Sequence, residues 1–370
     1  MEHTSLEGFW PGWHIVGEIG NGAYGRVYRA EHREFGQITE AAVTVIEMPQ
    51  GMDAFAELVR TSGREDSTHK HMRKLLRATA REISVMQSLK GAGNVVSVED
   101  FHLEEREDGL GWVMWIRMEL LESLPVYQMS HELAALAPSE VVKIGLHVCN
   151  ALDACHSLGV VHRDVKPENI FRTRFGDYKL GDFGIAKRLD VNSRSTATSI
   201  GTLSYMAPEV ARGANYDSRV DIYSLGIVLY RYLNGMRLPF VPAPPSSIRV
   251  EDLETACWRR LQGECLPVPS YADEHLAAIV LRACQADPDL RYGTAREFAD
   301  ELKLWAALRH AGRPAGRHFR VPIPCREESA ALNAFGNIQS QAYSAANIDC
   351  RTERADATRA PAETIGRYPN

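Results

Sequence analysis

Hydrophobic positions change their spacing part of the way along the chain. From Trp13 to about Glu122, short β-rich runs alternate with glycine and polar turns, and one amphipathic helix is predicted around Leu75 to Leu89. After Leu124 the apolar residues recur at helical spacing, which predicts helices near 138–155, 218–233, 274–284 and 295–308. The pattern therefore predicts an α+β chain with a small β-rich lobe, a larger, mostly α-helical lobe and a ligand cleft between them.

Three segments fall outside this pattern. Residues 1–12 are an N-terminal extension without the apolar stretch of a signal peptide. Residues 309–370 lack periodicity and are expected to be a mostly disordered tail. The polar stretch 49–70 is an insertion that could dock a partner or be a flexible loop. We expect one domain over 13–308, divided into an N-lobe (13–122) and a C-lobe (123–308).

Composition narrows the classes of partner. The formal net charge is −6, whereas nucleic-acid binding needs clustered Lys and Arg, so we expect no nucleic-acid partner. No run of about 18 apolar residues occurs, which predicts no membrane-spanning helix. The seven cysteines form no CxxC pair. This argues against a zinc site or a disulfide framework and favours a reducing, cytoplasmic location.

A glycine cluster lies between two strand-like runs. It reads Gly20-Asn21-Gly22-Ala23-Tyr24-Gly25 and is followed by Arg26-Val27. A dinucleotide-binding fold would need a helix after the last glycine, but a strand follows here. The cluster therefore has two interpretations: a plain glycine-rich hairpin turn, or a loop whose backbone approaches phosphates closely because side chains are absent.

Three further blocks carry the strongest signal. They are His162-Arg163-Asp164-Val165-Lys166-Pro167-Glu168-Asn169, then Gly181-Asp182-Phe183-Gly184, then Ala207-Pro208-Glu209. In this order, after a glycine loop, they closely resemble the eukaryotic-type protein kinase family over about residues 13–308. The resemblance implies a bilobal protein-kinase-like fold that uses ATP and Mg²⁺. Lys166 and Gly201-Thr202 resemble the serine/threonine subclass, which implies protein Ser or Thr hydroxyls as substrate.

The residue types in these blocks also suit phosphoryl transfer, which needs positioning, charge neutralisation and a proton acceptor. Asp164 supplies a carboxylate for the attacking hydroxyl, and Lys166 a cation for the transferring phosphate. Asn169 and Asp182 offer the hard oxygen ligands that suit Mg²⁺. By resemblance, Asp164 is the catalytic base, and Asn169 and Asp182 hold the metal.

The resemblance assigns further positions to nucleotide binding. Val27 and Ala42 would cover the adenine from above and Phe171 from below, and Met118 would be the gatekeeper. Each of these apolar residues also fits ordinary core packing. The expected nucleotide-binding set is Ile19, Gly20, Asn21, Gly22, Gly25, Val27, Ala42, Thr44, Glu82, Met118, Glu119, Leu121 and Phe171, with Glu119 and Leu121 acting through backbone groups. By the same resemblance, Asp221 braces the catalytic loop, and Glu209 and Arg291 form a buried ion pair.

One expected residue is missing. Ala42-Val43-Thr44 resembles the third-strand block that ends in a lysine, so Thr44 stands where the family has the cation that binds the ATP phosphates and pairs with a helix glutamate, here Glu82. A threonine hydroxyl is short and neutral and cannot replace that charge. Candidate substitute cations are Arg29, Lys70 and Lys74, although long basic side chains usually lie on the surface.

Thr44 leaves three explanations open. The chain is a weakened kinase, a nucleotide-binding pseudokinase that acts as a scaffold, or a laboratory variant inactivated at this position. Retention of Asp164, Asn169 and Asp182 favours native metal–ATP chemistry. In addition, a phosphate on the activation segment would pair with Arg163. The acceptors for such autophosphorylation, which implies self-association, would be Ser193, Ser195, Thr196, Thr198 or Ser199.

Overall fold

Five antiparallel strands form the β-rich lobe. The computed structural model describes residues 6–22, 25–49, 59–60, 65–107, 111–131, 135–182, 203–243 and 248–311. The strands are β1 (Trp13–Gly22), β2 (Gly25–Glu34), β3 (Gln37–Met48), β4 (Val98–Glu105) and β5 (Trp112–Glu119), in the spatial order β1-β2-β3-β5-β4. The predicted β-rich lobe is confirmed, and its strands extend beyond the hydrophobic runs because polar residues continue the pairing.

One long helix packs on the inner face of this sheet. Helix α1 (Glu65–Ser88) buries Leu76, Ile83 and Met86, which join a core that includes Ile46 and Ile116. The helix therefore begins ten residues before Leu75, inside the stretch 49–70 that the sequence marked as an insertion. The early start was missed because the first turns are polar and carry no apolar period.

The N-terminal segment covers the outer face of the sheet. Leu6 and Trp10 are buried against Val43 and Trp115, and Trp10 Nε1 donates to Asp100 Oδ2 at 2.9 Å. Residues 6–12 are therefore part of the folded N-lobe and not an extension outside it. The domain boundary at residue 13 stays a prediction.

The second lobe is mostly helical, as predicted. It contains α2 (Leu124–Ser130), α3 (Pro138–Ser157), α4 (Pro208–Ala211), α5 (Arg219–Leu233), α6 (Val250–Leu261), α7 (Glu274–Ala283) and α8 (Ala295–His310). A small sheet of β6 (Glu122–Ser123), β7 (Ile170–Arg172) and β8 (Tyr178–Leu180) completes it. Helix α6 was not predicted, because only two of its residues are buried.

Helix α5 is the centre of the helical lobe. It is buried on nearly all sides, so its sequence is apolar without a clear polar face. Gly145 of α3 lets the helices approach closely, since a Cβ there would lie 2.9 Å from Leu229 of α5 and 2.8 Å from Leu302 of α8. Because α5 is held firmly in this packing, it is a rigid support for the loops that precede it in the chain.

Two sequence expectations concern the environment of the protein. In the part of the chain that the structure describes, no helix is long and apolar enough to cross a membrane. Cys149, Cys155, Cys257 and Cys284 are free thiols.

Candidate active site

The glycine-rich segment joins two paired strands, as the strand–loop–strand interpretation requires. The register pairs Gly20 with Val27, Asn21 with Arg26 and Gly22 with Gly25. Residues 23 and 24 lie outside the described residues. A Cβ on Gly25 would collide with the carbonyl oxygen of Val45. A lysine at this position, which would be one way to compensate for Thr44, therefore does not fit the present backbone.

Apolar residues of three strands lie together on the inner face of the sheet. Ala42 is the cross-strand partner of Met118, and Thr44 that of Val27. Residues directly opposite each other in an antiparallel pair lie on the same face. Ile19 of β1, which the sequence also assigns to nucleotide binding, differs from the buried Ala42 because its side chain is 51% exposed.

The floor of the nucleotide site is predicted at the small sheet. Phe171 lies in β7, and its ring packs close to Gly181. A Cβ added at Gly181 would lie only 3.0 Å from the Phe171 ring. Leu121 is half-buried between β5 and β6. The structure thus places the predicted adenine-contacting residues on the sheet face and on β7, while their roles in binding remain predictions.

Glu119 makes contacts that the sequence did not reveal. Its carboxylate accepts hydrogen bonds from Lys179 Nζ at 2.6 and 2.9 Å and from the N–H of Ser97 at 2.7 Å. Its own N–H donates to the carbonyl of Ser97 at 3.1 Å. The carbonyl of Glu119 is therefore the backbone group that we expect to serve adenine. Lys179 was missed because it lies 60 residues away in the sequence.

Asp164, Lys166 and Asn169 come together in the loop between α3 and β7. Lys166 Nζ lies 2.8 Å from Asp164 Oδ2. Asn169 Nδ2 donates to the same carboxylate oxygen at 3.1 Å and to the Asp164 carbonyl at 2.8 Å. Burial lowers the pKa of Lys166, but the charge and hydrogen bond of Asp164 outweigh it, so the pKa of Lys166 is raised overall. The ammonium group therefore stays charged beside the carboxylate.

Asp221, in the first turn of α5, fixes the backbone that leads into Asp164. Its fully buried carboxylate accepts hydrogen bonds from the N–H groups of His162 at 2.8 Å and Arg163 at 2.7 Å, and Oδ2 lies 2.8 Å from His156 Nε2. Arg163 has a φ of 67°, a left-handed conformation that is strained for a residue with a side chain. The expected bracing role of Asp221 is confirmed.

Asp182 follows β8. Its neighbour Gly181 is hydrogen-bonded to the loop that carries Asp164 and Asn169. The N–H of Gly181 donates to the carbonyl of Asn169 at 2.9 Å, and His162 Nε2 lies 3.0 Å from the carbonyl oxygen of Gly181. Burial lowers the pKa of His162, against the raising effect of nearby carboxylates that include Asp221. Neutral His162 therefore donates to Gly181, and the backbone brings Asp182 beside Asn169.

Asn169 and Asp182 fit the oxygen ligands that Mg²⁺ prefers. Because Asn169 Nδ2 is bound to Asp164, the amide oxygen, which is the metal-binding atom of this side chain, points away from that carboxylate. Asp182 is exposed and has a φ of 55°, in the left-handed region that Asp adopts more readily than most residues with a side chain. Elsewhere in the described ranges, no three His, Cys, Asp or Glu side chains form a separate metal site.

Thr44 lies in the centre of the sheet, on the face that carries the cleft. Its cross-strand partners are Val27 of β2 and Ile116 of β5. Ala42 and Ile46, two residues away on either side, are buried on the same face, whereas Val43 belongs to the outer cluster. The position thus has the orientation that a phosphate-binding lysine would need, with a short neutral side chain in its place.

Arg29 does not replace the missing lysine. It follows Val27 on the same face of β2, but its guanidinium forms ion pairs with Glu31 and with Glu40. Both carboxylates lie further from the glycine loop than Arg29 itself. The guanidinium of Arg29 is therefore held in an ion-pair network with these carboxylates, on the side away from the glycine loop.

Lys70 and Lys74 do not replace it either. Both are exposed on α1, and at about 100° per residue they lie on the side opposite to the buried Leu76 and Ile83. The side chain of Glu82, the expected partner of the missing lysine, lies outside the described residues. Arg29 is thus paired with carboxylates, and Lys70 and Lys74 lie on the solvent side of α1, so none of the three candidates supplies the missing cation.

Further supports of the helical lobe match expectation. Arg291 Nη1 and Nη2 donate to the two carboxylate oxygens of Glu209 at 2.7 and 2.8 Å, and both residues are buried. The Arg163 guanidinium lies 5.6 Å from the ring centre of Tyr216. Residues 183–202, which include the five candidate phosphorylation sites and part of the Asp182-Phe183-Gly184 block, lie outside the described residues.

Comparisons with known proteins agree with this geometry. The family model described as "Protein kinase domain" matches residues 13–302, and the chain belongs to this family. It is 35% identical over 242 residues to the serine/threonine-protein kinase PknB of Mycobacterium tuberculosis, covering 63% of this chain and 36% of that protein. It is 32% identical over 238 residues to a probable serine/threonine-protein kinase of Clostridium perfringens, covering 63% and 32%.

A solved structure shares the fold. The crystal structure of the PknI kinase domain of Mycobacterium tuberculosis superposes with a TM-score of 0.50 at 26% sequence identity, covering 80% of this chain and 96% of that one. The bilobal protein kinase fold is therefore confirmed. The chain spans about a third of the length of the curated relatives it matches.

Proposed function

We propose that the chain is a serine/threonine protein kinase, which transfers the γ-phosphoryl group of ATP to Ser or Thr hydroxyls of proteins. The observation that supports this most strongly is the group formed by Asp164, Lys166 and Asn169, held in one geometry by hydrogen bonds of 2.8 to 3.1 Å. The relatives are named serine/threonine kinases, which favours an enzyme over a scaffold that only binds nucleotide.

Asp164 is the proposed proton acceptor. As the substrate hydroxyl oxygen forms its bond to the γ-phosphorus, the bond from that phosphorus to the β–γ bridging oxygen breaks, ADP leaves and the hydroxyl proton passes to Asp164. Two donors fix the carboxylate, so it needs little reorganisation during this step. Lys166, whose pKa is raised beside Asp164, supplies positive charge to the transferring phosphoryl group.

The nucleotide and metal would bind between the glycine segment and the catalytic loop. Mg²⁺, when bound, neutralises charge on the phosphates, and Asn169 and Asp182 would hold it through oxygen atoms. Val27, Ala42 and Met118 line the adenine side, with the glycine segment (Ile19–Gly22 and Gly25) above the phosphates, Phe171 below the adenine, and the carbonyl of Glu119 and the backbone of Leu121 at the adenine edge.

Thr44 lowers the rate that we expect. Loss of one preorganised charge at a transition state typically costs ~10²–10³ in rate, and none of Arg29, Lys70 and Lys74 takes the place of the missing lysine. We propose a slow kinase that works in the cytoplasm on protein substrates, without nucleic-acid or membrane partners. Self-association for autophosphorylation is part of this proposal, and its acceptors would lie in residues 193–199.

The test is transfer of radiolabel from γ-³²P-ATP with Mg²⁺ to casein and to the chain itself, followed by acid hydrolysis and separation of the phosphoamino acids. We expect label in phosphoserine or phosphothreonine for the natural sequence and none for Asp164→Asn. Label in phosphotyrosine alone, or equal label in both proteins, would overturn the proposal.

A further inference from the structure

Helix α1 carries a stripe of basic side chains on its solvent face. The basic stripe consists of Lys70, Arg73, Lys74, Arg77 and Arg81, all exposed. At about 100° per residue these five fall within roughly a third of the helix circumference, opposite to the buried side. The stripe is thus separate from the catalytic cleft, which the buried side and the inner sheet face adjoin.

The stripe forms one wall of a groove. With His69 and the exposed carboxylate of Glu105 at the end of β4, its five residues line a concave region of about 900 Å³. Arg73 is placed by the Trp112 ring, whose centre lies 5.8 Å from the guanidinium carbon. The groove is therefore built from fixed elements, one helix and one strand end, and not from a loop.

The charges of the stripe repel each other. Lys70 and Lys74, Arg73 and Arg77, and Arg77 and Arg81 are spaced four residues apart, where like charges destabilise a helix. Among the side chains that the structure describes, no carboxylate forms an ion pair with a stripe residue. This concentration of positive charge stands on a chain whose formal net charge is −6. An anionic occupant would relieve the repulsion.

We propose that the basic stripe docks an acidic, extended polypeptide segment of a partner protein. Lys70, Lys74, Arg77 and Arg81 follow one another at axial steps of about 4.5–6 Å, over roughly 16 Å in total. Side chains on one face of an extended chain repeat at about 6.6 Å. Acidic residues at three or four alternate positions span about 13 or 20 Å, so a segment of about five to seven residues covers the stripe, while the intervening residues face solvent.

Two other anionic partners fit less well. A membrane-surface helix needs an apolar face directed at the lipid, but the apolar face of α1 is buried on the sheet, and no large hydrophobic residue is exposed on the described part of α1. Nucleic acid would meet the long-range repulsion of a net acidic chain. A peptide, by contrast, presents its charge only over the length of the groove and can avoid Glu105.

The test is fluorescence anisotropy of the full chain with a fluorescein-labelled (Glu-Ser)₄ peptide at low salt, with (Gln-Ser)₄ as the neutral peptide control. We expect saturable binding of the acidic peptide only, weakening as salt rises. The double variant Lys74→Glu, Arg77→Glu should weaken binding at least roughly tenfold. The matched control Arg174→Glu, Lys303→Glu, which changes the formal charge equally at exposed sites elsewhere, should bind as the natural chain does.

A second, milder variant guards against a folding defect. Lys74→Gln, Arg77→Gln removes the charges without adding new ones. We expect its melting temperature to equal or exceed that of the natural chain, while its affinity for the acidic peptide is still reduced. Equal loss of peptide affinity in the stripe variant and in the control variant would overturn the proposal. So would stripe-dependent binding that is tighter to single-stranded DNA or to phosphatidylserine vesicles than to the peptide, or stripe-dependent self-association in sedimentation without peptide binding.

Discussion

Thr44 is the direct cross-strand partner of Val27, so a threonine occupies the inner sheet face at the position where a cation would reach the phosphates of a bound nucleotide. The loop below this sheet keeps Asp164, Lys166 and Asn169 in hydrogen-bonded contact. The family assignment and the missing cation together predict an enzyme that retains Asp164, Lys166 and Asn169 but transfers the phosphoryl group slowly, because one charge that would stabilise the phosphates is missing.

Restoring the cation should raise the rate. Thr44→Lys places an ammonium on the cleft face, and we expect kcat/KM for ATP to rise by ~10²–10³ in the radiolabel assay. Thr44→Gln, which has a long side chain without charge, is the matched control and should change little. An equal gain in kcat/KM in the two variants would show that the length of the side chain at position 44, and not its charge, limits the rate of the natural chain.

Removing the brace of the catalytic loop should cost both activity and stability. In Asp221→Asn an amide N–H faces backbone donors, so at least one buried hydrogen bond is lost, at a cost of roughly 3 kcal/mol in the free energy of unfolding. Denaturant unfolding measures this cost. The exposed Asp217, near the start of the same helix, supplies the control Asp217→Asn, which should leave phosphoryl transfer unchanged.

The stability of the chain should fall at acid pH partly through His162. Burial lowers the pKa of His162 in the folded protein, below its value of about 6.5 in the unfolded chain. Above that value both states are neutral and the group has no effect. As the pH falls below about 6.5, the unfolded chain takes up the proton first, so unfolding is favoured until the folded-state pKa is reached.

His162→Asn, which cannot take up this proton, isolates the effect. Melting temperatures of the natural chain and the variant, measured from pH 8 to pH 5, should show the natural chain losing more stability than the variant below about pH 6.5. His147, whose pKa burial also lowers, is present in both proteins and cancels. Parallel pH profiles would contradict a neutral buried His162.

The N-terminal segment should be needed for the stability of the N-lobe. Trp10→Ala removes a buried ring, its hydrogen bond to Asp100 and its contact with Arg117, whose guanidinium carbon lies 5.1 Å from the ring centre. We expect a loss of about 3–5 kcal/mol in the free energy of unfolding. The exposed Trp258 on α6 provides the control Trp258→Ala, which should cost much less. Equal costs would mean that residues 6–12 do not stabilise the sheet.

The sequence predicted those parts of the fold that short blocks encode. The glycine segment and the loop around Asp164 have fixed local spacing, so their residues could be identified before the fold was known. The brace by Asp221 and the Glu209–Arg291 pair were identified only through resemblance to the family, since they join residues 58 and 82 positions apart.

Other contacts had no signal in the sequence. Lys179 pairs with Glu119 across two sheets, and Trp10 packs on a strand that comes much later in the chain. Neither contact changes the local hydrophobic period, which is the feature that sequence analysis reads. The start of α1 was missed for a related reason, because its first turns are polar and its apolar period begins only near Met72.

We propose that Asp164 takes part in phosphoryl transfer although the chain lacks the phosphate-binding lysine. The most direct measurement is the single-turnover rate of phosphoryl transfer from Mg-ATP, with nucleotide binding followed in parallel by calorimetry, for the natural chain and for Asp164→Asn. We expect a slow but measurable rate that falls at least about 10²-fold in the variant, with ATP affinity unchanged. Nucleotide binding without any transfer by the natural chain, or transfer at the same rate in both proteins, would show that this role of Asp164 is wrong.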